Sequence, residues 1–147
     1  MDIYSNPQLY DFIHSNYKWD YTLIEYFAKK HKGPVLELAS GTGRLATPIL
    51  KLRLDYMGLE LSKSFLREAK KKFKRKASFI LGDMRSFHLG LSFDFIFISF
   101  NSFLHNLSTK DAKSCLKCVL NHLSPKGKFL LSIFIPNTEF LYRDVKK

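Results

Sequence analysis

The sequence predicts an α/β fold built on a mostly parallel sheet of about five strands, and three observations lead there. Strand-like and helix-like patterns alternate along the chain, which calls for right-handed crossovers between parallel neighbours. Two strand-sized runs, Phe95–Phe100 and Phe129–Ile135, are apolar at nearly every position, as in strands covered on both faces. A small-residue loop, Ala39-Ser40-Gly41-Thr42-Gly43, joins a short apolar strand to a helix.

The elements follow in order. Pro7 to Lys30 is aromatic-rich and mostly helix-like, with Leu23, Ile24 and Phe27 on one side, and Gly33-Pro34 ends it. Val35–Leu38 reads as the first strand, and a helix carrying Leu45, Ile49 and Leu52 follows the glycine loop. A strand at about Asp55–Leu59, a helix after Ser62 and a strand at Ser78–Leu81 come next. Phe93–Ser99 is a fourth strand, and a helix is expected from about Thr109 to Leu123. Its core arc reads as Ala112, Leu116, Val119 and Leu123, with Cys118 and His122 facing away. Ser124-Pro125-Lys126-Gly127 reads as a turn into the last strand, Phe129–Ile135.

Composition bounds the function. The 147 residues suit one domain, and 46% hydrophobic residues exclude a disordered chain. Two cysteines exclude a disulfide scaffold and point to a reducing compartment. No apolar run approaches the roughly 18 residues of a membrane span. The N-terminus, MDIYSNPQLY, shows no basic segment leading into an apolar one, so the expectation is a cytoplasmic domain without a signal peptide. Of 24 basic residues behind the net charge of +11, ten lie between Lys51 and Lys76. There Phe65, Leu66, Ala69 and Phe73 share an arc of about 100°, so the lysines read first as the solvated face of an amphipathic helix, and less as a nucleic-acid patch. Cys115, Cys118 and His122 fall short of the four ligands of a structural zinc site, so no metal is expected.

Gly41-Thr42-Gly43-Arg44-Leu45-Ala46 stands in the strand–loop–helix context of a dinucleotide fingerprint. Glu60, 23 residues beyond Glu37 at the end of the next strand, can accept both hydroxyls of an adenosine ribose. These features admit NAD or another adenosine compound. Glu37, directly before the loop, suits a ligand carrying an ammonium group better than a pyrophosphate. Gly82-Asp83-Met84 places an acceptor and an apolar side chain where an adenine could lie, and Asn101 and His105 follow the fourth strand at the same edge.

GPVLELASGTGRLATPIL, GLELSKSFLREAKKK, FILGDMRSF, FDFIFISFNSFLHNL and HLSPKGKFLLSIF together resemble the successive motifs of class I S-adenosylmethionine-dependent methyltransferases, from about Gly33 to Pro136. The resemblance implies a Rossmann-like three-layer sandwich with strand order 3-2-1-4-5. It divides the chain into an N-terminal helical cap (1–32), a core (33–136) and a tail (137–147). The implied cofactor is S-adenosylmethionine and the implied acceptor a small molecule.

By the same resemblance, Glu37 orients the methionine ammonium, while Gly41 and Gly43 allow close passage of the methionine and ribose. Glu60 holds the ribose with Leu61 beside the adenine, Asp83 accepts from the adenine amino group, and Met84 packs on the ring. Arg44 meets the methionine carboxylate or lies at a helix surface. Tyr10 and Tyr17 close the pocket, Phe100 is a further cofactor-binding residue, and His105 and Asn101 are the candidate catalytic residues. Ala39 stands where the family has a glycine, which fits if its φ is negative. Glu60 replaces the commoner Asp.

The resemblance further implies that the antiparallel strand pair completing a seven-stranded sheet is missing here. The edge strand Phe129–Ile135 is then expected to be covered by a second copy or partner chain, by the C-terminal segment, or by residues beyond it. The alternatives are a non-catalytic S-adenosylmethionine-binding domain, an NAD-binding protein, or a nucleic-acid methyltransferase. The last is disfavoured because Ser99-Phe100-Asn101-Ser102 replaces the expected base-flipping motif.

Overall fold

The computed structural model describes residues 5–135 and Asn137; the tail expected over 137–147 otherwise lies outside the described residues. Helices α1 (Pro7–His14) and α2 (Tyr21–Lys30) precede β1 (Val35–Leu38), α3 (Ala46–Lys51) and β2 (Tyr56–Glu60). Helix α4 (Lys63–Phe73), β3 (Ser78–Leu81), β4 (Phe93–Ile98), α5 (Thr109–His122) and β5 (Leu123–Leu131) follow. The five strands are parallel in the order β3-β2-β1-β4-β5, as the sequence predicts.

Alternating residues of each strand feed two apolar layers. Val35, Tyr56, Phe79, Phe95 and Phe97 pack with Ile24, Ala28, Ile49 and Ala69 of α2, α3 and α4. Leu36, Leu38, Leu59, Ile96 and Ile98 pack with Cys115 and Val119 of α5. Period-two alternation between two covered faces is what makes the strands apolar throughout.

Four readings need correction. The N-terminal stretch is two helices broken at 15–20, and Leu23 faces solvent while Ile24 and Ala28 are buried. Helix α5 buries Cys115, Val119 and His122, whereas Leu116 and Leu120 are exposed. His122 is kept inside by two hydrogen bonds: its Nε2 accepts from the Leu89 N–H at 3.0 Å, and its Nδ1 lies 2.7 Å from the Cys118 carbonyl. Residues 124–127 do not precede the last strand but lie within β5 as an irregularity, since Phe93 pairs with Leu123 and Phe95 with Lys128. Gly127 permits this: a Cβ there would stand 2.8 Å from the Phe93 carbonyl oxygen. Finally, Ile133, Phe134 and Ile135 leave the ladder and are exposed. Their neighbour β4 ends at Ile98 and the chain beyond it turns left-handed at Phe100 and Asn101, so the Phe134 N–H goes to Asn101 Oδ1 at 2.5 Å instead.

The basic residues are exposed over the outer face of α4, as expected, and also where α3 and α4 lead into β2 and β3, through Arg53, Lys74, Arg75 and Lys76. Lys72 instead pairs with Asp11 of α1. No described helix is long and apolar enough to cross a membrane.

Candidate functional site

The carboxyl ends of β1, β2 and β3 and the turn after β4 surround a cavity of about 480 Å³. It takes in Ala39, Gly41, Glu60, Leu61, Asp83, Met84, Tyr10 and His105, all expected there, together with Ser62, Phe65, Gly82, Arg85 and Ser102. Open α/β sheets bind ligands at this edge, where strand ends and helix starts leave backbone groups unpaired.

Glu60 is held in place on the cavity wall by the backbone. Its Oε2 accepts from the Gly41 N–H and its Oε1 from the Ser62 N–H, both at 2.7 Å. Each carboxylate oxygen has a second lone pair, so the side chain is held and still able to accept from two hydroxyls. The two loop glycines serve different ends. Both have positive φ, but a Cβ on Gly41 would meet nothing closer than Phe65 at 3.9 Å, whereas one on Gly43 would strike Phe73 and Phe79 at 2.7 and 2.8 Å. Gly41 leaves room for a ligand; Gly43 lets aromatic rings pack against the loop.

Ala39 departs from expectation, since its φ is +55°. It holds the left-handed conformation that glycine has in the usual pattern, at a cost of about 1–2 kcal/mol for an L side chain. Phe100 (+56°) and Asn101 (+66°), just beyond β4, are left-handed too.

Glu37 lies beneath the loop, buried and outside the cavity lining, with its Oε2 accepting from the Tyr56 hydroxyl at 2.5 Å. Burial pushes its carboxyl up to about 8, against the pull of the Tyr56 hydrogen bond and Arg44. Asp83 is held below the usual carboxylate range by Arg85, whose guanidinium reaches it at 2.6 Å and whose backbone N–H donates at 2.8 Å.

Arg44 does not lie free at a helix surface, its side chain being only 17% exposed. Its guanidinium donates to both Asp20 oxygens at 2.6 and 2.7 Å and to the Tyr17 carbonyl at 2.8 Å, among the Tyr17, Tyr21 and Phe100 rings. Asp11 of α1 accepts from the Thr42 hydroxyl at 2.5 Å. These bonds dock the cap helices on the glycine loop, and Tyr10 reaches the cavity with its ring 5.2 Å from that of Phe65. Tyr17, Phe100 and Asn101 lie outside the lining, the first two packed against each other at 4.7 Å.

Of the residues not foreseen, Arg85 had a legible signal: a cation two positions after Asp83 in a short turn. In the sequence Phe65 reads only as core, and Ser62 only as a helix start. Among the described residues no group of His, Cys, Asp or Glu could hold a metal ion.

This architecture defines a Rossmann-like domain with a cavity at the carboxyl edge of its sheet. The chain belongs to the methyltransferase domain family, whose sequence pattern matches residues 35–127; S-adenosylmethionine is the cofactor of that family. Over 93 residues it is 33% identical to a dTDP-3-amino-3,4,6-trideoxy-alpha-D-glucopyranose N,N-dimethyltransferase of Streptomyces venezuelae, covering 63% of this chain and 39% of that protein. Over 127 residues it is 32% identical to a demethylmenaquinone methyltransferase of Thermotoga maritima, covering 83% of this chain and 53% of that one. The glycopeptide N-methyltransferase MtfA, solved with S-adenosylmethionine, superposes with a TM-score of 0.67 at 36% identity, over 76% of this chain and 48% of that one. The chain thus spans about half the length of such relatives, or less.

Proposed function

We propose that the protein transfers a methyl group from S-adenosylmethionine to a small-molecule acceptor. The observation that carries this reading is the Glu60 carboxylate, fixed by two backbone N–H groups on the wall of a cavity that Asp83 and Met84 also line. Glu60 takes the ribose hydroxyls, Asp83 and Met84 receive the adenine beside Leu61, and Gly41 allows the ligand to pass close to the backbone. Glu37 takes the methionine ammonium once the loop above it admits the ligand, and Tyr10 covers the cavity.

When bound, the cofactor supplies an activated methyl on a sulfonium. The chain then has to position an acceptor in line and exclude water, which accounts for about 7–11 kcal/mol of barrier. His105, in the turn after β4 and on the cavity wall, is the group proposed to take a proton from an acceptor that arrives protonated; Asn101 orients that turn through Phe134. Arg44 is assigned to anchoring the cap.

Acceptors of the relatives, an amino sugar, a quinone and a glycopeptide, support a small-molecule substrate here. The edge strand β5 is proposed to be covered by a second chain or by further residues. Free Cys115 and Cys118 support a cytoplasmic location.

Thermal denaturation with S-adenosylmethionine, S-adenosylhomocysteine and NAD in parallel tests the cofactor. A ligand at about 100 times its Kd adds about 2.7 kcal/mol of stability, so a rise of several degrees is expected with the first two. A response to NAD alone overturns the reading.

A further inference from the structure

Glu37 stands on the sheet face that packs against α2, α3 and α4, between Gly58 of β2 and Phe97 of β4 in the strand register. Gly58 leaves room for Ser40 and Phe79, since a Cβ there would stand 2.5 Å from Ser40 Oγ and 2.7 Å from the Phe79 ring. Tyr56, two residues earlier on the same face, reaches across and places its hydroxyl 2.5 Å from Glu37 Oε2. Both residues are buried, Tyr56 at 5% exposure and Glu37 at 3%. The Tyr56 ring packs 5.6 Å from that of Phe79 within an otherwise apolar cluster. Phenylalanine would pack there equally well. The hydroxyl is the part that packing does not account for, and a hydroxyl in such a place needs a partner.

We propose that Tyr56 is a positioning residue for cofactor binding: its hydroxyl fixes one oxygen of Glu37 and keeps that side chain aimed and ionisable for the ligand's ammonium group. This rests on reading Glu37 as the ammonium acceptor. The other groups facing Glu37 are Arg44 on the loop, Asp20 and Tyr21 at the start of α2, and Glu60 at the end of β2. Arg44 favours the carboxylate, while Asp20 and Glu60 oppose it. Burial keeps the Tyr56 hydroxyl protonated and so a donor. Binding a cation beside Glu37 therefore releases a proton wherever the free carboxyl still holds one. Removing the phenol donor makes ionisation harder and weakens binding most at neutral pH.

The test is calorimetric titration with S-adenosylhomocysteine from about pH 6.5 to 8.5, in two buffers of different ionisation enthalpy. The proteins are the native one, Tyr56→Phe, Glu37→Gln and Glu37→Gln/Tyr56→Phe. In Tyr56→Phe, affinity is expected to fall about ten-fold near pH 7, the gap narrowing as pH rises. In the Glu37→Gln background, Tyr56→Phe is expected to have no further effect. Equal affinity and proton release in native and Tyr56→Phe proteins overturn the proposal, as does a loss that is independent of pH and persists in the Glu37→Gln background. Absence of binding by the native protein itself would instead remove the cofactor reading. Should Tyr56→Phe fail to fold, difluorotyrosine at position 56 serves. Its more acidic hydroxyl donates more strongly, so the pH profile is expected to move downward, and an unmoved profile overturns the proposal.

Discussion

The half of the sheet formed by β3, β2 and β1 and the half formed by β4 and β5 differ in how their carboxyl-edge connections are tied down. In the first, every such loop is secured by a charged side chain: Glu60 holds Gly41 and Ser62, Asp20 holds Arg44, Asp11 holds Thr42 and Arg85 holds Asp83. In the second, Asn101, Leu104, His105 and Leu107 are exposed, α5 shows Leu116 and Leu120 to solvent, and β5 is an edge strand among the described residues. The half proposed to take the cofactor is thus set before binding except over Glu37, which the cavity does not reach, so little further ordering is left to oppose affinity. The half proposed to face the acceptor is left open.

The largest expected effect sharpens that contrast in stability. Asp20→Ala leaves the mostly buried Arg44 guanidinium with only the Tyr17 carbonyl, and is expected to cost about 3–5 kcal/mol in denaturant unfolding. Asp111→Ala on α5 removes a half-exposed contact to Arg85 at 3.6 Å and a bond from Ser108, and is expected to cost far less. Similar losses for the two would erase the distinction.

Next in size is Glu60→Ala, which removes a charged acceptor and releases both N–H groups that define the loop. S-adenosylhomocysteine affinity is expected to fall about ten-fold or more by calorimetry. His105→Ala, in the open half, is expected to leave that affinity unchanged while lowering turnover. A ten-fold affinity loss in both would show that the β4 turn belongs to the cofactor site.

The tied half also carries a pH signature. Glu37 titrates at about 8 in the folded chain against an ordinary 4.5, because burial disfavours its charge. A raised acid is protonated in the fold while the unfolded chain ionises. Stability from this group is therefore complete below about pH 4.5 and is lost as pH rises to about 8. The slope is at most about 1.4 kcal/mol per pH unit. Glu37→Gln is expected to flatten that part of the profile; an unchanged slope would place the titration elsewhere.

Much of the tied half was legible in the sequence because local pattern determines it. The lysines of α4 leave Phe65, Leu66 and Ala69 as the only apolar arc, and β1 and β3 match their expected bounds. Glu60, Asp83 and Met84 reach the cavity because they lie at or just beyond strand ends, whose place in the sheet the alternation of elements already implies. What was hidden depends on distant partners. Arg44 meets Asp20 only through the docking of α2, and Tyr56 meets Glu37 only through strand register. His122 looks like a surface residue until Leu89 supplies its donor. In helix α5 the sequence offers two overlapping arcs that share Val119, one with Leu116 and one with Cys115, and the second is the buried one.

The smallest predicted effect compares the left-handed residues of the two halves. Ala39 pays the steric cost of φ +55° with no compensating hydrogen bond from its side chain. Ala39→Gly removes that cost but gives the unfolded chain more freedom, worth about 0.4–1 kcal/mol in the opposite direction. The balance is a gain of about 0.5–1 kcal/mol, read as a small rise in Tm. Asn101 is different: asparagine tolerates φ +66°, and its Oδ1 accepts from the Phe134 N–H. Asn101→Gly relieves little, adds the same unfolded freedom and frees the segment at Phe134, so a small fall in Tm is expected. Opposite signs at two residues with nearly the same φ would show that the strain beside the glycine loop is uncompensated locally, whereas the turn after β4 owes its shape to the side chain that holds it. Equal signs would mean that backbone conformation alone decides both.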